Sequence, residues 1–169
     1  MAKDGSVTRF PRLRGSITQL TVPTAVSTLL DQLTDAFNRN DLDAVMSFFA
    51  ADACYEPGDG TRHQGLAAIR KAFEPQFAGA FGAMRFDLED RVIDEAARKA
   101  ALRWTCRHDM SDGKVRGMPV LLRLYLRARF GPRVGWRGLD VFHFDAAGKV
   151  IAKYTYANYD RPQLRRELG

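Results

Sequence analysis

The sequence predicts an α+β fold in which helices come first and one curved, mostly antiparallel sheet follows. Three observations carry that expectation. Apolar residues repeat at helical spacing as far as Phe77, the period changes to two from residue 83, and a long hairpin, 138-GLDVFHFDAAGKVIAKYTYANYD-160, lies near the end of the chain. Three helices laid on one strongly curved sheet enclose a cone, and that cavity is where a chain of 169 residues would hold a small ligand.

Residues 1–22 carry Gly5, Pro11 and Gly15 with no sustained period, which predicts a flexible basic arm ahead of a single domain over 23–169. Thr24 or Ser27 can cap a first helix with Val26, Leu29, Leu30, Leu33, Ala36 and Phe37 at helical spacing. Asn38-Arg39-Asn40 ends it, and Asp41 caps a second, LDAVMSFFA. A short strand near Cys54–Glu56 runs into the turn Pro57-Gly58-Asp59-Gly60, and Gly65 opens a third helix with Leu66, Ile69, Phe73 and Phe77.

Phe86 and Leu88 then alternate with Arg85, Asp87 and Glu89 in a strand that continues to Ile93. After a turn at Glu95–Arg98, 100-AALRWTCRH-108 returns as a strand with Leu102, Trp104, Cys106 and His108 on one face. An irregular insertion is expected at about 109–137. Within it, 119-PVLLRLYLRARF-130 alternates like a strand yet carries a helix start at Pro119 and a stop at Gly131-Pro132; the helix signals are the stronger.

One residue breaks the hairpin's alternation. Asp140 shares a strand face with Phe142 and Phe144, where period two calls for an apolar side chain. Pairing 100–108 with 138–144 by matching apolar faces sets Trp104 opposite Phe142 and Cys106 opposite Asp140, with His108 diagonal to the carboxylate. Matching Phe144 with Val150 then puts Ala152, Tyr154 and Tyr156 on the inner face and turns Lys153 outward. A register slip of one residue would invert these placements. An inward Asp140 would be a functional carboxyl, able when neutral to donate to a developing oxyanion, or else a satisfied core acceptor. Glu56, between Tyr55 and Pro57, is a candidate general base; His63 and His143 read as structural.

The net charge of +6 is local. Residues 1–22 contribute +3 and 114–137, with seven basic residues and no acid, contribute +7, so the remainder is −4. That distribution, without interleaved aromatics, does not make a nucleic-acid surface, and no membrane partner is expected. Segment 114–137 stays open as an interaction surface for an anionic partner. Two cysteines, Cys54 and Cys106, form no metal spacing or disulfide framework, and the first 22 residues lack a secretory apolar core, so a cytoplasmic protein is expected. Three scattered histidines predict no metal site.

The run 34-TDAFNRNDLDAVMSFFAADACYEPGDG-60, the helix 65-GLAAIRKAF-73 and 138-GLDVFHFDAAGKVIAKYTYA-157 together resemble the nuclear-transport-factor-2-like superfamily, most of all its ketosteroid-isomerase and SnoaL-type polyketide-cyclase members. The resemblance covers about 24–160 without the insertion. It implies a cone-shaped α+β barrel, often a homodimer, with a pocket between helices and sheet and no cofactor. Asp140 falls where ketosteroid isomerases carry a protonated oxyanion-hole aspartate, and Glu56 before Pro57 is nearest to their general base. Their first-helix tyrosine falls on Leu33, a departure that argues against steroid isomerisation.

Together these readings predict an isomerase, cyclase or related lyase that moves a proton next to the carbonyl of a hydrophobic substrate. Glu56 or His108 would be the base, with Asp140 and Tyr154 or Tyr156 as oxyanion donors. The pocket would be lined by Leu33, Tyr55, Trp104, Cys106, Phe142 and Tyr156. The competing expectations are a non-catalytic binder of an apolar ligand and an interaction module built on 114–137.

Overall fold

Helix α1 (Val26–Asn38) buries Val26, Leu29, Leu30, Leu33, Ala36 and Phe37, the stripe that its sequence predicts. The computed structural model describes residues 24–111 and 115–158; the expected arm at 1–22 and the residues after 158 lie outside that range. Neither Thr24 nor Ser27 caps α1. The N-cap is Ala25, and the carboxylate of Glu95, from a distant turn, accepts from the backbone N–H of Val26 at 2.8 Å and of Ser27 at 3.2 Å. A long-range carboxylate thus satisfies the orphan donors that a local hydroxyl was expected to take.

Helix α2 (Leu42–Ser47) is capped as predicted, with Asp41 Oδ1 accepting from Ala44 N at 2.9 Å, but it ends three residues early because Phe49 already belongs to β1 (Phe49–Glu56). A two-residue strand that the sequence did not announce, β2 (His63–Gln64), pairs with β1. Helix α3 (Leu66–Phe77) buries Ile69, Phe73 and Phe77. Phe37 of α1 meets the rings of Phe73 and Phe77 at 5.7 and 5.6 Å, so the two helices share one aromatic core.

Strands β3 (Ala83–Asp94), β4 (Lys99–Asp109), β5 (Arg133–Phe144) and β6 (Val150–Asn158) complete a six-stranded curved sheet in the order β2-β1-β6-β5-β4-β3. The sheet stays open, with β2 and β3 at its edges. All neighbours are antiparallel except β1 and β6, which run parallel. The insertion is shorter than expected, because β4 and β5 pair without interruption from Lys99↔His143 to Asp109↔Arg133. Between them lies helix α4 (Val120–Phe130), in agreement with the start and stop signals. It buries no residue, and Leu121 on it is 81% exposed. Among the described residues no helix is long and apolar enough to cross a membrane.

Two registers differ from the expected ones, and both move the residues around Asp140. On β4–β5 the true partner of Trp104 is Gly138, and Leu102 faces Asp140. An added Cβ at Gly138 would lie 2.4 Å from the end of the Trp104 indole, so this strand position is glycine because the ring lies across it. Cys106 therefore faces Trp136 and His108 faces Val134, well away from Asp140. The sequence-based match failed because 133–137 pairs as strand instead of belonging to a loop.

On β5–β6, Phe144 pairs with Val150 as expected, but His143 pairs with Ala152, which leaves Ile151 as the extra residue of a β-bulge. Every later side chain changes face. Phe142 pairs with Lys153 and Asp140 with Thr155, both buried, while Tyr154 turns outward against His143 and Tyr156 is 65% exposed.

Gly138→Ala is expected to destabilise the fold by about 1–3 kcal/mol through overpacking against the indole. Urea denaturation measures the loss, and Trp104→Phe in the same chain is expected to return part of it.

Candidate functional site

A cavity of about 580 Å³ opens between the helices and the concave sheet face. Leu30, Leu33 and Phe37 of α1, Phe73 of α3, and Phe86, Leu102, Trp104 and Phe142 of the sheet make most of its wall apolar. Against that wall β5 and β6 present one polar cluster: Asp140, Lys153 and Thr155.

Lys153 Nζ donates to Asp140 Oδ1 at 2.7 Å and to Thr155 Oγ1 at 2.6 Å, and the threonine hydroxyl donates in turn to Asp140 Oδ1 at 2.6 Å. The lysine is 5% exposed and the aspartate 6%. Burial pulls the Lys153 pKa below the ordinary lysine value, while the adjacent carboxylate pulls it back up. The ammonium also stands 4.9 Å from the centre of the Tyr55 ring and 5.4 Å from that of Phe142, so aromatic faces replace part of its lost hydration.

Both bonds to the carboxylate fall on Oδ1, and among the described residues none is made to Oδ2. An ammonium carries three N–H donors, and these partners take two. The cluster can therefore offer a ligand one carboxylate oxygen and one N–H together. Trp104 Nε1, in the same wall, is buried and without a partner among the described residues. Leaving such a donor unpaired costs about 1–3 kcal/mol, which a ligand acceptor would return.

Of the sequence candidates, Asp140, Tyr55, Trp104, Phe142 and Leu33 line the cavity. Glu56 does not. Its side chain is 39% exposed and lies 3.5 Å from Arg62. Tyr154 and Tyr156 are turned away by the bulge at Ile151. Cys106 and His108 keep to the inner face but make a separate buried pair, Sγ to Nε2 at 3.2 Å, with the imidazole stacked on Trp136 at 4.3 Å. Burial pushes the Cys106 thiol up to about 12 and the His108 imidazole down to about 4, so both are neutral near pH 7. Among the described residues no group of three or more His, Cys, Asp or Glu could hold a metal ion.

Sequence reasoning missed Lys153 and Thr155 outright. The signal was electrostatic. A carboxylate placed among phenylalanines needs a cation, and the lysines within 138–158 are Lys149 and Lys153. It missed Asp59 as well, a wall residue whose carboxyl is held below its usual range chiefly by the Thr61 hydroxyl.

Lys153→Met alone is expected to cost about 3–5 kcal/mol, because it strands a buried carboxylate, and Lys153→Met with Asp140→Leu is expected to recover most of that. A double-mutant cycle by chemical denaturation reads the coupling. His108 gives a second test. Its folded pKa of about 4 lies below the ordinary 6.5, so between those values the unfolded chain binds the extra proton. Stability is therefore full above about 6.5 and is lost as the pH falls towards 4. Denaturation midpoints across that window are expected to fall less steeply in His108→Gln.

The geometry has counterparts among known proteins. The family model of the SnoaL-like domain matches residues 30–153. No curated protein matches the chain. Among solved structures, SalBIII, an epoxide hydrolase/cyclase-like enzyme of pyran ring formation in the polyether salinomycin, is 16% identical with a TM-score of 0.60, covering 79% of this chain and 90% of its own. A putative polyketide cyclase from Xanthomonas campestris pv. campestris is 19% identical at a TM-score of 0.57, over 79% of this chain and 90% of that one. RV0760c from Mycobacterium tuberculosis, solved with estradiol-17beta-hemisuccinate, is 14% identical at 0.61, over 81% and 97%. At these identities the likeness is one of fold. The family match runs from the first helix to the lysine of the buried pair, and on that ground the chain belongs to the SnoaL-like domain family.

Proposed function

We propose that the chain is an enzyme that moves a proton next to the carbonyl of an apolar small molecule, as an isomerase, cyclase or related lyase. The observation that carries this reading is the Asp140–Lys153–Thr155 cluster, the one charged pair set into the apolar wall among the described residues. Structural needs do not account for it, since a buried ion pair is at best weakly stabilising compared with apolar residues of similar volume. A cavity of about 580 Å³ suits a ligand of several fused rings.

The roles differ from those expected of the residues at first. Among the described residues Asp140 accepts both of its hydrogen bonds on Oδ1 and keeps Oδ2 for a ligand, so it acts as the base through Oδ2. Lys153 takes the electrophilic role that Asp140 or a tyrosine was expected to fill, drawing electron density from the carbonyl oxygen as charge develops there. Thr155 fixes the angle between the two. Glu56, at the solvent face, and His108, behind Trp136, are not assigned to the reaction.

A panel of fused-ring ketones in deuterated buffer tests this. Exchange at the carbon next to the carbonyl is expected to be accelerated by the protein and slowed about 10²–10⁴-fold in Asp140→Asn, as removal of a general base requires. No acceleration on any ketone, or full exchange in the variant, rejects the reading. The second reading is a binder of apolar ligands without turnover, favoured by the steroid ester bound to RV0760c in the same fold. Native mass spectrometry showing an unaltered ligand carried through purification, with no exchange activity, would select it.

A further inference from the structure

We infer that Lys153 captures the substrate carbonyl covalently as an imine, with Asp140 relaying the protons of the condensation. This rests on the carbonyl reading above and deepens it, making the electron withdrawal a bond instead of a contact.

Four features of Lys153 support it. It lines the cavity although it is nearly inaccessible from the outer surface, so what reaches its nitrogen comes through the pocket. Its nitrogen lies 4.9 Å from the centre of the Tyr55 ring and 5.4 Å from that of Phe142, in an apolar setting where the uncharged amine is less costly to bury than the ammonium. A proton acceptor stands 2.7 Å away in Asp140, so the pair can exist as ammonium and carboxylate or, after one proton crosses, as amine and carboxylic acid. Burial lowers the lysine's pKa against the opposing pull of Asp140, and desolvation in an apolar pocket is one way a lysine amine is activated as a nucleophile.

The steps balance on these two residues. The proton on Nζ moves to Asp140, and the freed lone pair attacks the carbonyl carbon, forming the C–N bond while the C–O π pair goes to oxygen. Asp140 returns its proton to that oxygen and takes one from the nitrogen, giving the neutral carbinolamine. It then gives this proton to the hydroxyl, the C–O bond breaks, and water leaves. The product is an iminium on Lys153 with the Asp140 carboxylate restored. The net change is one carbonyl and one ammonium converted to one iminium and one water. The carboxylate can then remove the proton from the adjacent carbon, with the iminium as electron sink.

Benzoylacetone is a suitable probe for the purified full chain. Its condensation with an amine loses water and stops at an enaminone that absorbs in the near ultraviolet and survives peptide mapping. At neutral pH one adduct per chain is expected, at Lys153, with none on Lys71, Lys99 or Lys149. Lys153→Arg, whose guanidinium gives no enaminone, is expected to form none, and Asp140→Asn to form it about 10²-fold more slowly. Circular dichroism establishes that both variants are folded. Wild-type protein that yields no adduct, or adducts spread over the surface lysines, overturns the inference. The same preparation is assayed for deuterium exchange. Exchange without an adduct overturns the imine and leaves non-covalent proton transfer standing, whereas an adduct without exchange supports the imine and sinks the proton-transfer reading.

Discussion

The concave face of this fold is organised around one buried contact, the 2.7 Å ion pair between Lys153 and Asp140. Two opposite charges in an apolar wall hold only if each has its partner and their remaining lone pairs and protons find further bonds. Thr155 supplies one further bond to each, and the Tyr55 and Phe142 rings stand against the lysine, while Asp140 Oδ2 and one lysine N–H are left for a ligand. Because the three residues come from adjacent positions of two paired strands, the ladder of β5 and β6 fixes their spacing. The turn after β1 fits closely over the same place, since a Cβ at Gly58 would meet the Thr155 carbonyl oxygen at 2.4 Å. The site is thus held from the sheet below and from a loop above.

The basic surplus that stands out in the composition lies elsewhere. On the opposite face of the sheet, arginines from neighbouring strands converge on two carboxylates. Asp87 is bridged by Arg85 at 3.0 Å and Arg107 at 2.6 Å, and Glu89 by Arg103 at 3.4 Å and Arg137 at 3.5 Å. Both carboxyls are held below their usual range, each chiefly through one side-chain hydrogen bond, from Arg107 to Asp87 and from Thr105 to Glu89. Arg137, counted in the basic 114–137 segment, is therefore part of a cross-strand network and not of a free cationic patch. Exposed pairs of this kind contribute little stability each and mainly keep a charged face from repelling itself.

What was legible in the sequence is what local periodicity controls. The stripe of α1, the Asp41 cap, the helix start at Pro119 and the change to period two at residue 83 each depend on residues within a turn or two of one another. Asp140 was visible because it broke a local pattern. Its surroundings were not, because they depend on pairing between strands. The cap of α1 comes from Glu95, about seventy positions away, which no window around Thr24 contains. The β4–β5 register follows from where the Trp104 indole comes to rest, at Gly138, and apolar matching alone is blind to that. The lysine was assigned to the wrong face by a single unpaired residue.

That residue, Ile151, has a meaning for how such a site changes through descent. The last strand carries two polar sets in alternation, Lys153 with Thr155 and Tyr154 with Tyr156, and only one set can face Asp140. Which one does so is decided by the presence of the bulge and not by the chemistry of either set. Were the bulge closed with Ile151 kept in the ladder, Phe142 would pair with Ala152 and Asp140 with Tyr154, exchanging an amine and an alcohol for two phenols with no substitution inside the site. In this chain one bulged residue therefore decides which polar groups face the buried carboxylate.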